Sequence, residues 1–295
     1  MPELPEVHTT IEGLKKVIVG KTIKGVWSDF HIGAKYKNKP NIKNEKYFHK
    51  FKKIVVGSKI KGLTRKGKNI LIHLENPKDQ IFEYTIVVHM KMTGCLMYKK
   101  DNKEKYIHLA FTLSDKNYLL LSDLRKFASV VIVETAKLSS HEAIKGLGPD
   151  PLDPKFGAKD FFEILHRKKK TPIKSALLDQ GAIAGIGNIY SDEILWSVGI
   201  HPFSRADKIP KNKFLAMFKA TQNILRFSIK HGGDSKSDYR NAFGEKGGFQ
   251  NFHKVYGKKK EKCPKRGCGG IIGRIVVRGR SAHFCPKHQV LYEGQ

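Results

Sequence analysis

Cysteine is scarce in this chain, with four residues in 295, too few for a disulfide scaffold. Long apolar stretches are missing too. No run approaches the ~18 residues of a membrane span, and the N-terminus has no apolar core of a secretory signal, so neither membrane insertion nor secretion is expected. Acidic residues are few: 27 Asp and Glu stand against 56 Lys and Arg, a net charge of +29. That excess favours a polyanionic partner such as nucleic acid. Arginine is scarce within the basic set, ten residues against 46 lysines. Genome composition can produce such a skew, so charge supports nucleic-acid binding without deciding it.

The length is enough for a sizeable core and for two domains. Val7, Ile11, Leu14 and Ile18 follow the helical period and Gly20 supplies a stop, which predicts a leading helix. From 21 to about 134 short β-type runs take over, among them 22–27, 59–63, 69–75, 81–89, 107–113, 118–121 and 130–134. Seven or eight strands separated by turns predict a β-sandwich. Residues 35–68 hold thirteen basic residues and one acidic, Glu45, which is either a solvated face or a phosphate track. The turn-rich stretch 146–154 reads as a domain boundary. Helical patterns follow at about 158–167, 173–180, 188–198 and 211–230, then a glycine-rich stretch, 234–250, expected to be a mobile loop. The last forty residues are β-like again, so the fold class expected is α+β. Three domains are expected, at 1–146, 147–256 and 257–295.

Four constellations carry chemistry. The chain opens Met1-Pro2-Glu3-Leu4-Pro5-Glu6-Val7. Removal of Met1 leaves a proline whose free secondary amine titrates well below a lysine and is partly unprotonated at neutral pH. Such an amine can attack an electrophilic sugar carbon and form an iminium. Glu3 beside it has a carboxyl group able to move protons to and from the opening ring. A plainer reading also suits the spacing: Pro5 starts a helix whose N-terminus favours acidic side chains. Second, the stretches His89-Met90-Lys91-Met92-Thr93-Gly94 and Asp123-Leu124-Arg125-Lys126-Phe127-Ala128 lie at strand ends. A base flipped from a duplex leaves a hole, and Met92, Arg125 and Phe127 are suitable wedges for it; alternatively Met92 and Phe127 are core residues. Third, glycines 181, 185 and 187 separate two helical runs, with Asn188 as N-cap of the second, where free N–H groups suit a phosphate. Fourth, Cys263 and Cys268 are followed after sixteen residues by Cys285 and His288, flanking a hairpin-like stretch at 273–284. Thiolates and an imidazole in two knuckles suit a closed tetrahedral Zn²⁺ in a reducing compartment; the alternative is a finger of reduced thiols held by packing.

These stretches, in this order, resemble the formamidopyrimidine-DNA glycosylase/endonuclease VIII family, bifunctional DNA glycosylases and AP lyases that excise oxidised bases. PELPEV is similar to the family's amino terminus, the two loops to its HxGMSG and DxRRFG signatures, and 168–193 to its helix–two-turns–helix motif. The resemblance implies an N-terminal β-sandwich with a leading helix, then a helical domain ending in a zinc-bound hairpin, with damaged double-stranded DNA in a basic cleft between them. It implies a monomer kept inside the cell wherever DNA is held, Zn²⁺ as the structural cofactor, and catalysis by Pro2 and Glu3. Lys68 would contact phosphate and serve proton transfer in β-elimination, and Arg280, five residues before Cys285, would serve δ-elimination. Met92, Arg125 and Phe127 would fill the void, and Lys169, Lys174 and Asn188 would grip the DNA backbone. The chain departs from the pattern at Lys91 and Ala128, where glycines are usual, and in the wider first knuckle and the histidine of the metal set. Either oxidised pyrimidines or 8-oxoguanine and formamidopyrimidines are possible substrates. The competing expectations are a non-catalytic zinc-finger DNA- or RNA-binding protein and a structural nucleoid protein.

Overall fold

The computed structural model describes residues 1–30, 41–75 and 83–293. The chain forms two compact units, Met1–Gly146 with His231–Gly248, and Leu147–Lys230 with Phe249–Gln295. This differs from the three domains expected. Residues 231–248 return to the first unit, and the finger belongs to the second.

Helix α1 (Leu4–Ile18) opens the first unit. Pro5 has no N–H to leave unsatisfied in the first turn, and the Glu6 carboxylate accepts the Glu3 N–H at 2.7 Å. Val7, Ile11, Leu14 and Ile18 are at most 2% exposed. Each contributes ~1.5–3 kcal/mol relative to an exposed side chain.

Among the described residues eight strands follow: β1 (Ile23–Ser28), β2 (Lys59–Lys66), β3 (Asn69–Glu75), β4 (Tyr84–His89), β5 (Gly94–Lys99), β6 (Ile107–Leu113), β7 (Tyr118–Asp123) and β8 (Ser129–Glu134). They make two antiparallel four-stranded sheets, β1-β6-β7-β5 and β2-β3-β4-β8. Ile72, Ile86 and Val88 of one sheet share a core with Leu96, Phe111 and Leu121 of the other and with α1. This is the sandwich that the succession of short strands and turns predicts. Residues 81–82 of the expected fourth strand lie outside the described residues, as do Lys35, Lys37 and Lys39 of the basic track.

The expected run of strands is interrupted by a helix, α2 (Glu45–Val55). Asn44 caps it, its side chain accepting the Tyr47 N–H at 2.9 Å, and Phe48, Phe51 and Val55 turn inward at spacings of three and four. Lys46, Lys50, Lys52 and Lys53 occupy its exposed face. The amphipathic period was present, diluted by the lysines.

Residues 231–248, expected to be a mobile loop over most of their length, are tied down within the first unit. Tyr239 is 3% and Ala242 0% exposed, and the Ala242 carbonyl accepts the Tyr98 N–H at 2.8 Å. The turn closes so tightly that a Cβ on Gly247 would lie 2.2 Å from the Gly233 carbonyl oxygen. Gly247→Ala is therefore expected to destabilise the protein by ~1–3 kcal/mol, read as a shifted midpoint in denaturant unfolding.

The second unit holds α3 (Ala158–His166), α4 (Ile173–Leu178), α5 (Asn188–Val198) and α6 (Lys211–Lys230), then a hairpin of β9 (Gly273–Val277) and β10 (Arg280–Phe284). Ring contacts join α3 to α6, with centroids 5.5 Å apart for Phe161–Phe218 and 5.2 Å for Phe162–Phe214. Tyr190 of α5 is fully buried, its hydroxyl 2.6 Å from that of Ser228 on α6.

Candidate active site and metal cluster

At the head of α1, Pro2 is buried and joined to Met1 by a peptide bond. Glu3 is 2% and Glu6 1% exposed. Glu6 Oε1 accepts the Asp234 N–H at 2.8 Å, and its carbonyl accepts the hydroxyls of Tyr239 at 3.0 Å and Thr10 at 2.9 Å. Burial pushes the Tyr239 hydroxyl far above its ordinary range, so it remains a donor. Two carboxyl groups are thus buried in the turn that follows residue 2, and Glu3, adjacent in the chain, is the one positioned to move a proton. Glu6 stands in the opening turn of the sequence, but nothing there signals that residues 234 and 239 anchor it.

Helix α1 packs on β2 and β3, and Lys68, buried, stands just before β3. Across the ladder Asn69 pairs with His89. Burial first, then the charges of Lys91 and Lys68, push the His89 imidazole down to about 3, so it is neutral at pH 7. Its Nδ1 accepts the Lys91 N–H at 3.0 Å.

Met92 and Phe127 are 37% and 42% exposed, which removes them from the core, and the Arg125 guanidinium sits 4.5 Å over the Phe127 ring. Lys91, where the family pattern has glycine, adopts φ 56° in the left-handed region, a conformation glycine takes without strain. Ala128, the other departure, is buried and its N–H donates to Asp123 Oδ2 at 2.7 Å. Beside these loops opens a cavity of about 500 Å³ whose lining includes Thr93, Cys95, Tyr106, Leu124, Asp238 and Arg240.

In the second unit Gln180 shapes the turn between α4 and α5. Its side chain accepts the Gly185 N–H at 2.9 Å and donates to the carbonyls of Leu178 and Ile186. The N-cap of α5 is Gly187, not Asn188 as the spacing suggested; Asn188 is the first helical residue, and its Oδ1 is buried with no hydrogen-bond partner among the described residues. Lys169 is exposed in the turn before α4. Lys174 differs from expectation. It is fully buried and ion-paired with Asp192, also fully buried, so it does not present its charge to a phosphate. Asp192 explains the burial, since a lysine enters an interior only with its charge matched. The same Asp192 accepts the His283 N–H at 2.9 Å, joining α5 to β10. Glu193 accepts the N–H groups of Lys254, Val255 and Tyr256, which fixes the approach to the finger. Neither acid carried a sequence signal beyond lying in a helix. Arg280 is exposed at the start of β10, next to the two-residue turn.

Cys263, Cys268, Cys285 and His288 present ligand atoms within 4.8 Å of one another. Cys263 Sγ lies 3.4 Å and Cys268 Sγ 3.8 Å from His288 Nδ1, and the sulfurs of Cys268 and Cys285 are 3.5 Å apart. Ligands around a tetrahedral zinc with bonds near 2.3 Å stand ~3.5–3.8 Å apart, so the cluster fits that ion. The surroundings agree. The His288 Nε2–H donates to the Trp196 carbonyl at 3.1 Å, leaving Nδ1 as the ligand nitrogen, and the Trp196 indole donates to Cys263 Sγ at 3.4 Å. A Cβ on Gly270 would stand 2.6 Å from Cys285 Sγ, so this glycine admits the cluster. The wider first knuckle and the histidine thus complete one site.

Residues 1–130 match the formamidopyrimidine-DNA glycosylase N-terminal domain, and residues 147–240 the formamidopyrimidine-DNA glycosylase H2TH domain. The chain is 36% identical over 297 residues to the formamidopyrimidine-DNA glycosylase of Lactobacillus acidophilus, covering 99% of this chain and 100% of that protein. It is 35% identical to that of Bacillus subtilis over 292 residues, covering 98% and 99%. Among solved structures it is similar to a Lactococcus lactis variant in complex with Fapy-dG-containing DNA, with TM-score 0.85 and 33% identity, covering 98% of this chain and 99% of the other. The wild-type Lactococcus lactis protein, in complex with DNA containing an oxidised pyrimidine, gives TM-score 0.84 and 33% identity, again covering 98% and 99%. With both family domains matched in order and relatives aligned over nearly their whole length, the chain belongs to the formamidopyrimidine-DNA glycosylase family.

Proposed function

We propose that this DNA glycosylase of base excision repair acts on oxidised bases in duplex DNA and is also an AP lyase working through its N-terminal proline. The damaged nucleotide is flipped out of the stack. The Pro2 amine forms a bond to C1′ while Glu3 gives a proton to the ring oxygen; the N-glycosidic bond breaks and the base leaves with its electron pair. The amine then loses its proton, and its lone pair forms the C1′=N bond as the C1′–O4′ bond breaks. The protonated ring oxygen leaves as the O4′ hydroxyl, and the opened sugar is held as an iminium. Loss of a C2′ proton expels the 3′ phosphate, and a second elimination expels the 5′ phosphate, leaving a one-nucleotide gap. Lys68 assists the eliminations, and Arg280 offers its cation to a departing phosphate. Met92, Arg125 and Phe127 occupy the vacated stack. Lys169 and the start of α5 at Asn188 contact the backbone.

The observation that carries this reading is the buried pair Glu3 and Glu6 at the head of α1, in the turn directly after the residue that bears the amine. Borohydride tests it. Reduction during turnover should join the protein covalently to lesion DNA, whereas a non-catalytic binder yields no adduct. The Lactococcus lactis complexes carry Fapy-dG in one case and an oxidised pyrimidine in another, so we assign both classes to the substrate range. A panel of duplexes with 8-oxoguanine, formamidopyrimidines, thymine glycol and dihydrouracil ranks them.

Cys263, Cys268, Cys285 and His288 would hold one structural Zn²⁺, which supplies folding energy to the finger and takes no part in the chemistry. Stripping it with a chelator under reducing conditions should release one equivalent of zinc per chain. Affinity for DNA should fall ~10-fold or more as the Arg280 hairpin loses its base. Metal analysis that finds no zinc in freshly purified protein would refute the assignment.

A further inference from the structure

Three proposed void-filling side chains stand on two separate loops, and one buried carboxylate ties those loops together. Asp123, at the end of β7, is fully buried. Its Oδ1 accepts the Thr93 hydroxyl from the loop that bears Met92, and the Arg125 N–H at 3.3 Å. Its Oδ2 accepts the Ala128 N–H at 2.7 Å, just after Phe127. The Thr93 hydroxyl in turn accepts the Arg125 N–H at 3.2 Å. Asp123 and Gly94 are paired in the β5–β7 ladder, so the bridge grows from sheet structure.

The outer side of the same loop is held as well. Lys126 reaches Asp29 Oδ2 at 3.0 Å, and its carbonyl accepts Lys43 Nζ at 2.7 Å. The backbone of 124–127 is therefore fastened on both sides while Arg125 and Phe127 project outward.

On the reading given under Proposed function, we infer that Asp123 is a positioning residue for base extrusion: it presets Met92, Arg125 and Phe127 as one wedge. A wedge works only if all its parts enter the gap together. Ordering three long side chains at the moment of insertion costs conformational entropy that a prefixed arrangement has already met. The desolvation of the carboxylate is offset by its donors, two N–H groups and a hydroxyl. An amide at this position has only one acceptor oxygen, and its NH₂ would face a donor N–H, so the bridge opens on one side.

The test compares Asp123→Asn with wild type in two assays. One is single-turnover excision of 8-oxoguanine or a formamidopyrimidine from a fully paired duplex, which requires extrusion. The other is borohydride trapping on a duplex that already contains an abasic site, where no base remains to be moved. Excision should fall ~10–100-fold and trapping less than ~3-fold, on the scale of a small misplacement of a working group. Thr93→Ser should behave as wild type, and Thr93→Val should reproduce part of the loss. Met92→Ala should cost less in the Asp123→Asn background than alone, because the wedge is already out of register. Equal losses in both assays, or additive losses with Met92→Ala, would overturn the inference and leave Asp123 a purely structural group. So would normal excision by Asp123→Asn. Absence of wild-type trapping would instead refute the lyase reading on which it rests.

Discussion

A chain carrying a fixed extension ahead of Met1 is expected to lose borohydride trapping on abasic DNA by ~10³-fold or more, the scale on which removal of a nucleophile acts. With Met1 attached, the Pro2 nitrogen is an amide whose lone pair is delocalised into the carbonyl, with no hydrogen to lose; it is not a nucleophile. Only removal of Met1 turns it into a secondary amine. Pro2→Gly, once processed, keeps an α-amine but not the proline ring, and should weaken trapping without removing it. Mass spectrometry of the N-terminus together with the trapping yield decides the matter. Full trapping by an extended chain would transfer the nucleophile to another amine, with the buried Lys68 as the nearest in character.

Glu3→Gln is expected to lower excision of a damaged base ~10²–10⁴-fold, the usual worth of a positioned general acid, while cleavage of a preformed abasic site changes less than tenfold. The separation follows from the chemistry. Base departure needs a proton on the opening ring, and an abasic aldehyde is already open. The substitution is nearly isosteric, and the Glu3 backbone N–H remains tied to Glu6, so helix α1 should stand. Excision at the wild-type rate would end the assignment, and equal loss in both steps would give Glu3 a role in binding instead.

Much of this protein was legible in local pattern. The apolar spacing of α1, the short β-type runs of β3 and β6, and the bounds of α6 follow directly from residue types along the chain. Local chemistry also carried the paired knuckles and the opening PELPEV. Helix α2 shows how such reading fails. Its cap and its three inward residues were in plain view, but four lysines between Glu45 and Val55 dilute the period, and the basic stretch was read as a solvated face or a phosphate track.

What stayed hidden depends on where distant parts of the chain meet. Glu6 finds Asp234 across 228 residues and Trp196 finds Cys263 across 67, and no spacing rule reaches that far. Lys174 illustrates the physical reason. From its neighbours it is an ordinary cation free to meet phosphate; only once α5 delivers Asp192 to it in the interior does its charge become an internal matter. Residue types and their order therefore settled the family, the sandwich, every helix but α2 and the candidate nucleophile. Packing alone determined which charges are matched indoors, that Trp196 supports the metal cluster, and that Asp123 holds two loops as one. Burial and desolvation arise from the folded whole, and a single stretch of chain does not have them.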